Sequence, residues 1–334
     1  MNKKNLKPIK WGIIGVGDVC EVKSGPALQN VEGSELLAVM RRSGELAKDF
    51  AERHGVPLWS DDADELISNP EINAIYIATP PKTHAEYAIK AAQAGKIVYV
   101  EKPMARSHAE CVMMIEACKN ANVPLFVAFY RRSLPNFLKI KELLENKVIG
   151  EVRFVNVCIQ KPLYPDIISQ STNPNNWRTD PDMAGGGYFY DLACHQLDIL
   201  DFLFGPIIQA QGFSKNQGGI YAADDLVIGN FVFESGVVGS GLWSFAANTE
   251  SEKEITTIVG SKGQISFPFF GDHSVILQVE GQSSQRFEFD IPRNIQQPFI
   301  QTIIDELNGL GQSPSKGESA ARTNWVMEQL CQNL

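Results

Sequence analysis

From the amino end to about residue 128, short apolar runs alternate with amphipathic stretches of helical period. A run around 11–14 leads into a glycine pair, and further runs cover 34–43, 73–78, 96–100 and 124–128. Helical spacing falls between them, most clearly over 84–94, closed by Gly95, and from Ser107 onward. Strands separated by helices in this way predict a doubly wound parallel sheet. After Tyr130-Arg131-Arg132 the texture changes. One helix is predicted over 135–145, followed by extended runs at 150–157, 225–233, 237–245, 254–260 and 264–267. The turns Glu234-Ser235-Gly236 and Ser261-Lys262-Gly263 join the last four runs into two hairpins, so this half is richer in antiparallel pairing. Helical spacing returns at 297–309 and 318–330. We therefore expect an α/β chain with a doubly wound first domain over 1–128 and a second α/β domain over 129–334, its last helices free to pack back on the first domain.

Composition narrows the class. With 334 residues, 44% of them hydrophobic, the chain exceeds what one core usually supports. Its 30 basic and 39 acidic residues leave a net charge of −9, which argues against nucleic acid or an anionic membrane as partner. Lys3, Lys4, Lys7 and Lys10 are not followed by a signal-peptide core, and no run is long enough to span a bilayer, so a cytoplasmic location is expected. The six cysteines show no zinc-like spacing and read as reduced thiols, and no metal site is expected.

The candidate chemistry begins at Gly15-Val16-Gly17-Asp18-Val19-Cys20. Gly15 allows a tight turn and Gly17 a close backbone approach to a pyrophosphate, which the N–H groups of a following helix would stabilise. Cys20 occupies the usual third-glycine position and loosens helix-on-strand packing there, so the turn alone is equally an ordinary glycine turn. At the end of the second strand, where an acid would bind a ribose hydroxyl, stand Arg41, Arg42 and Ser43. They suit a 2′-phosphate and favour NADP over NAD, unless they are simply a solvated strand end. Thr79, Pro80 and Pro81 end one strand on the ligand-binding edge as a rigid wall or a plain stiff turn. Glu101 and Lys102 follow another strand, which aims the lysine at the crevice. Near mid-chain, glycines 185–187 precede a helix on which Asp191 and His195 are four apart and share a face. That spacing suits a carboxylate orienting an imidazole, two groups converging on one substrate, or a merely structural histidine.

The ordered set Gly15-Val16-Gly17, Thr79-Pro80-Pro81 with His84, Glu101-Lys102-Pro103, Tyr130-Arg131 with Pro135, Trp177-Arg178, and Gly185-Gly186-Gly187 with Asp191 and His195 resembles the glucose-fructose oxidoreductase and inositol dehydrogenase family, Gfo/Idh/MocA, over nearly the whole chain. The resemblance implies an NAD(P)-binding Rossmann domain over 1–128 followed by a substrate-binding and oligomerisation α/β domain over 129–334 on a large, mostly antiparallel sheet. It also implies oxidation or reduction of a sugar, polyol or related hydroxy or keto compound with NADP or NAD. By that resemblance Lys102 contacts substrate oxygen and cofactor ribose, His195 is the general acid/base, and Asp191 orients it or binds substrate. The cofactor contacts would be Gly15, Gly17, Asp18, Val19, Arg41, Arg42, Ser43, Thr79, Pro80, Pro81, His84, Glu101, Lys102, Trp177 and Arg178. The branches of glucose-fructose oxidoreductase and dimeric dihydrodiol dehydrogenase typically carry tyrosine where this chain has His195, so their substrates do not transfer.

Two other functions remain open: a glycosidase using tightly held NAD for transient oxidation, which the resemblance allows because a minority of the family works so, and a nucleotide-sensing regulator without turnover. The intact Lys102, Asp191 and His195 argue against the second. Runs 226–233 and 237–243 carry apolar residues on both alternating faces, predicting that a second copy covers one face in a homodimer or homotetramer.

Overall fold

The structure is a computed structural model and describes residues 6–166, 168, 172–173 and 176–332; Lys3 and Lys4 lie outside them. Two compact units divide the chain. The first comprises Met1–Ala105, Ala109–Ser133 and Pro292–Ala321, and the second Arg106–His108, Leu134–Ile291 and Arg322–Leu334.

The first unit is built on six strands, β1 (Ile9–Ile14), β2 (Ser34–Met40), β3 (Leu58–Ser60), β4 (Ala74–Ile77), β5 (Ile97–Val100) and β6 (Leu125–Val127). They lie in the order β3-β2-β1-β4-β5-β6, and every pair is parallel. β4 and β6 are buried along their whole length and β5 nearly so, which explains why these strands read as continuous apolar runs instead of alternating ones. The chain order reverses between β1 and β4, so the crevice beyond their carboxyl ends is the ligand-binding position of such a sheet. Helices α1 (Gly25–Asn30), α2 (Gly44–His54), α3 (Ala63–Ser68), α4 (His84–Gln93) and α5 (His108–Asn120) connect the strands.

One predicted feature differs. The helix after the glycine turn does not start as an α-helix, because Cys20–Ser24 form a π-helical turn closed by the Gly25 N–H on the Cys20 carbonyl. Cys20 is completely buried, and the wider turn accommodates its side chain. A Cβ on Gly25 would stand 2.4 Å from the Cys20 carbonyl oxygen, so the close of this turn requires glycine.

In the second unit, α6 (Pro135–Glu145), α7 (Pro181–Ala184) and α8 (Gly187–Phe204) accompany an eight-stranded sheet. Its strands are β7 (Val152–Gln160), β8 (Ile207–Lys215), β9 (Leu226–Phe233), β10 (Val238–Ser244), β11 (Lys253–Gly260), β12 (Gly263–Phe267), β13 (Val275–Val279) and β14 (Gln285–Phe287). The order is β14-β13-β12-β11-β7-β10-β9-β8, with only the β7–β10 pair parallel. α9 (Gln297–Leu307) belongs to the first unit, and α10 (Gly317–Cys331) enters the first up to Ala321 and the second from Arg322. Among the described residues no helix is long and apolar enough to cross a membrane.

The inner face of the large sheet buries Phe231, Phe233, Trp243, Val155, Val157, Ile159 and Ile258. α8 packs there: Phe189 meets Trp243 edge-on at 5.2 Å, and the Trp243 Nε1–H donates to Gln196 Oε1 at 2.7 Å. The outer face is only partly apolar, in contrast to the apolar pattern along β9 and β10. Cross-strand register lines up Phe213, Ile228, Leu242, Cys158 and Ile255 in one row and Val232, Val238, Phe154 and Val259 in another. Between them runs a polar row, Gln211, Asn230, Ser240, Asn156 and Thr257, in which Asn156 Nδ2 donates to Ser240 Oγ at 2.8 Å. Phe213 is 60% exposed and Ile228 43%.

Candidate active site

The first unit's crevice is assembled from the ends of β1, β2, β4 and β5. Gly15 follows β1 with φ +97°, and its N–H donates to the Met40 carbonyl at 2.9 Å. A Cβ there would stand 2.9 Å from the Thr79 amide nitrogen and 2.7 Å from Thr79 Cγ2, so only glycine lets the turns after β1 and β4 meet. Gly17 is different: a Cβ on it would meet nothing closer than 4.0 Å. That open backbone at the switch point fits a nucleotide diphosphate, with the half-exposed Val19 and exposed Asp18 beside it. The contrast yields a prediction. Gly15→Ala should lower unfolding stability by about 1–3 kcal/mol in a denaturant titration, the usual cost of a forced backbone conformation. Gly17→Ala should leave stability nearly unchanged and weaken nucleotide binding; equal stability losses would contradict this division.

Thr79 and Pro80 are half-exposed on the crevice edge, whereas Pro81 is buried. His84, expected among the cofactor contacts, is completely buried. Its Nε2 lies 2.7 Å from the Thr79 carbonyl and its Nδ1 3.2 Å from those of Pro103 and Met104. Burial pulls the imidazole below its ordinary pKa, against the carbonyls of Thr79, Met104 and Pro103 that favour the charged form. His84 therefore ties the turn after β4 to the turn after β5.

Arg41, Arg42 and Ser43 are all exposed at the end of β2. Ser43 is the N-cap of α2 with extended backbone and no side-chain cap, so the helix start follows the two exposed arginines directly in the chain. An acid does reach this corner, from a different strand end: Asp61 Oδ2 lies 3.4 Å from where a Cβ on Gly44 would stand.

Glu101 and Lys102 follow β5, and the Lys102–Pro103 peptide is cis. Lys102 is half-buried, whereas Glu101 is only 7% exposed. Glu101 Oε1 accepts the Tyr76 hydroxyl at 2.6 Å and the Gln296 amide at 2.7 Å, and its Oε2 accepts the Lys102 backbone N–H at 3.1 Å. Glu101, expected to touch cofactor, is thus a buried support for the turn that carries Lys102. Burial and the neighbouring Glu101 push the Tyr76 phenol well above its usual range.

The second unit holds the other constellation. Gly187 opens α8 at φ +67°, where a Cβ would press on the Ala223 side chain at 2.6 Å, so the helix starts where a loop crosses it closely. From α8, Asp191 Oδ2 accepts Arg178 Nε at 3.1 Å, and the Arg178 guanidinium lies 4.5 Å from the Trp177 ring centroid. Trp177 and Arg178, expected as cofactor contacts, are therefore joined to Asp191 within this unit. One turn on, His195 is 4% exposed and meets the Phe270 ring at 6.1 Å, edge to face. Glu254 fixes Phe270 by accepting its N–H at 3.2 Å and that of Phe269 at 2.9 Å. Burial raises the Tyr188 phenol, which accepts from Asn176 Nδ2 at 3.3 Å beside this group. Phe270, Glu254 and Gln296 carried no motif or spacing signal, and only long-range contacts bring them to the site residues.

Residues 9–129 match the family described as oxidoreductase family, NAD-binding Rossmann fold, and residues 137–266 match the GFO/IDH/MocA C-terminal domain. An oxidoreductase of Formosa agariphila is 41% identical over 97% of this chain and 98% of its own length. Myo-inositol 2-dehydrogenase of Thermotoga maritima is 27% identical over 94% of this chain and 90% of its own. Among solved structures, levoglucosan dehydrogenase in complex with NADH and levoglucosan superposes with a TM-score of 0.83 at 22% identity, covering 97% of this chain and 96% of the other.

Proposed function

Because the chain belongs to the Gfo/Idh/MocA oxidoreductase family, we propose that it is a dehydrogenase or reductase that moves hydride between NADP, or less well NAD, and a CH–OH group of a sugar or polyol. The observation that carries this reading is the crevice at the β1–β4 switch point, with open backbone at Gly17 and Lys102 on the turn after β5. The relatives named for inositol and levoglucosan support the substrate class.

When bound, the nicotinamide supplies the hydride acceptor or donor. The chain supplies the rest. Gly15, Gly17 and the edge at Thr79 and Pro80 hold the nucleotide, and Arg41, Arg42 and Ser43 select its phosphate. Oxidation of a secondary alcohol removes a hydride from carbon and a proton from oxygen. His195 takes that proton on a ring nitrogen, and the Lys102 ammonium stabilises the negative charge developing on the substrate oxygen. Asp191, held by Arg178, orients His195 or hydrogen-bonds a substrate hydroxyl. A panel of polyols, aldoses and keto-sugars assayed with both nucleotides by nicotinamide absorbance tests this reading. Turnover of at least one compound, faster with NADP, is expected; no absorbance change with any compound would sink it.

The same reading includes a cytoplasmic homo-oligomer, either dimer or tetramer. The two apolar rows on the outer face of the large sheet are what a second copy would cover, most simply with two-fold symmetry. Light scattering at micromolar concentration should give a multiple of the chain mass, and Ile228→Glu should shift it toward monomer. A strictly monomeric parent protein refutes the interface.

A further inference from the structure

Gln296 is completely buried at the N-cap of α9, far from Glu101 in sequence and bonded to it in space. Its Oε1 accepts the Tyr99 hydroxyl at 2.8 Å and its Nε2 donates to Glu101 Oε1 at 2.7 Å. Opposite a carboxylate, this amide orientation is the one that hydrogen-bonds. A carboxylate accepts and cannot donate, and a reversed amide would set carbonyl oxygen against carboxylate oxygen. The Tyr76 hydroxyl, whose ring stacks on Tyr99 at 4.6 Å, spends its one proton on the same Glu101 oxygen. Two donors therefore pin Oε1, which leaves Oε2 directed at the Lys102 N–H. Past Val100 the backbone leaves the β5 ladder, with the Glu101 N–H on the Ile77 carbonyl as its last sheet bond, so the Glu101 side chain holds the next peptide. The same segment reaches the π-helical turn, where Asn294 Nδ2 donates to the Val22 carbonyl at 2.6 Å.

We propose that Gln296 is a positioning residue for Lys102, acting through the Glu101 carboxylate, so that a segment from near the carboxyl end sets the geometry of the lysine turn. The proposal rests on the reading that Lys102 serves turnover, and the tests separate the two. Gln296→Met keeps the volume and removes both hydrogen bonds; Tyr99→Phe removes only the bond remote from Glu101. With the best substrate of the panel, Gln296→Met should lower kcat by about tenfold or more at a temperature where circular dichroism shows it fully folded, with the nucleotide KM within about threefold. Tyr99→Phe should lose far less. In a Lys102→Ala background, Gln296→Met should add no further loss, because both changes act through one group.

A readout without turnover uses the nucleotide-free protein, reductively methylated on its lysines with carbon-13. The Lys102 resonance, identified by its loss in Lys102→Ala, should move and titrate about half a unit or more away in Gln296→Met. Tyr76→Phe, which removes the other donor to Oε1, should reproduce the effect and serves if Gln296→Met does not fold. A slow Lys102→Ala beside a normal Gln296→Met, or an unmoved Lys102 resonance, overturns the positioning role alone. Full turnover by Lys102→Ala overturns the catalytic lysine and the positioning role together.

Discussion

Replacing Lys102 or His195 with alanine should slow turnover by about 100- to 10,000-fold, the range for loss of a general acid/base or of the group that stabilises developing charge. Both variants should still fold. Lys102 is half-buried on a turn that Glu101, Tyr76 and Gln296 hold through backbone and neighbouring side chains, so removing its own side chain leaves those bonds in place. His195 sits within α8, whose hydrophobic packing against Trp243 runs through Phe189. Steady-state rates on the best substrate, with circular dichroism as the folding control, check this. Near-normal turnover by either variant removes that residue from the chemistry. Asp191→Asn should be milder, because it keeps an acceptor for Arg178 and loses only charge.

Changing Arg41 and Arg42 together to neutral residues should weaken NADP binding by about 1.5–3 kcal/mol for each charged hydrogen bond lost, with far less effect on NAD. Each such loss corresponds to roughly a tenfold or larger change in affinity. Both arginines are exposed at the end of β2, directly before the start of α2, as a ligand phosphate requires. Asp61, whose Oδ2 lies 3.4 Å from where a Cβ on Gly44 would stand, would repel a phosphate bound there, so Asp61→Asn should tighten NADP binding. Fluorescence titration with both nucleotides measures the difference. Equal weakening for NADP and NAD in the double-arginine variant would return these arginines to a solvated strand end.

The parallel sheet was legible in the sequence because its strands are buried on both faces and stand out as unbroken apolar runs. The antiparallel pairs β9–β10 and β11–β12 were legible from the short turns between them. Less could be read where a local pattern has two physical solutions. Cys20 in place of a glycine signalled imperfect packing, but not that a π-helical turn would follow and require Gly25 at its close. The outer face of the large sheet alternates between apolar and polar rows because cross-strand register, invisible along one strand, sets which residues align. Nothing local in the sequence announces that the His84 and Glu101 side chains are buried and hydrogen-bonded to neighbouring turns. Gln296, Glu254 and Phe270 reach the site residues only through tertiary contacts, so no spacing along the chain announces them.

The most direct test of the central claim follows one atom. The best alcohol substrate of the panel, deuterated at the carbon to be oxidised, is incubated with the enzyme and NADP, and the released nucleotide is analysed by mass spectrometry. A hydride-transferring dehydrogenase predicts one deuterium in the reduced nicotinamide for each molecule of carbonyl product. Product formed while the nucleotide in solution stays oxidised and unlabelled, as in a glycosidase that oxidises its substrate only transiently, would contradict the account.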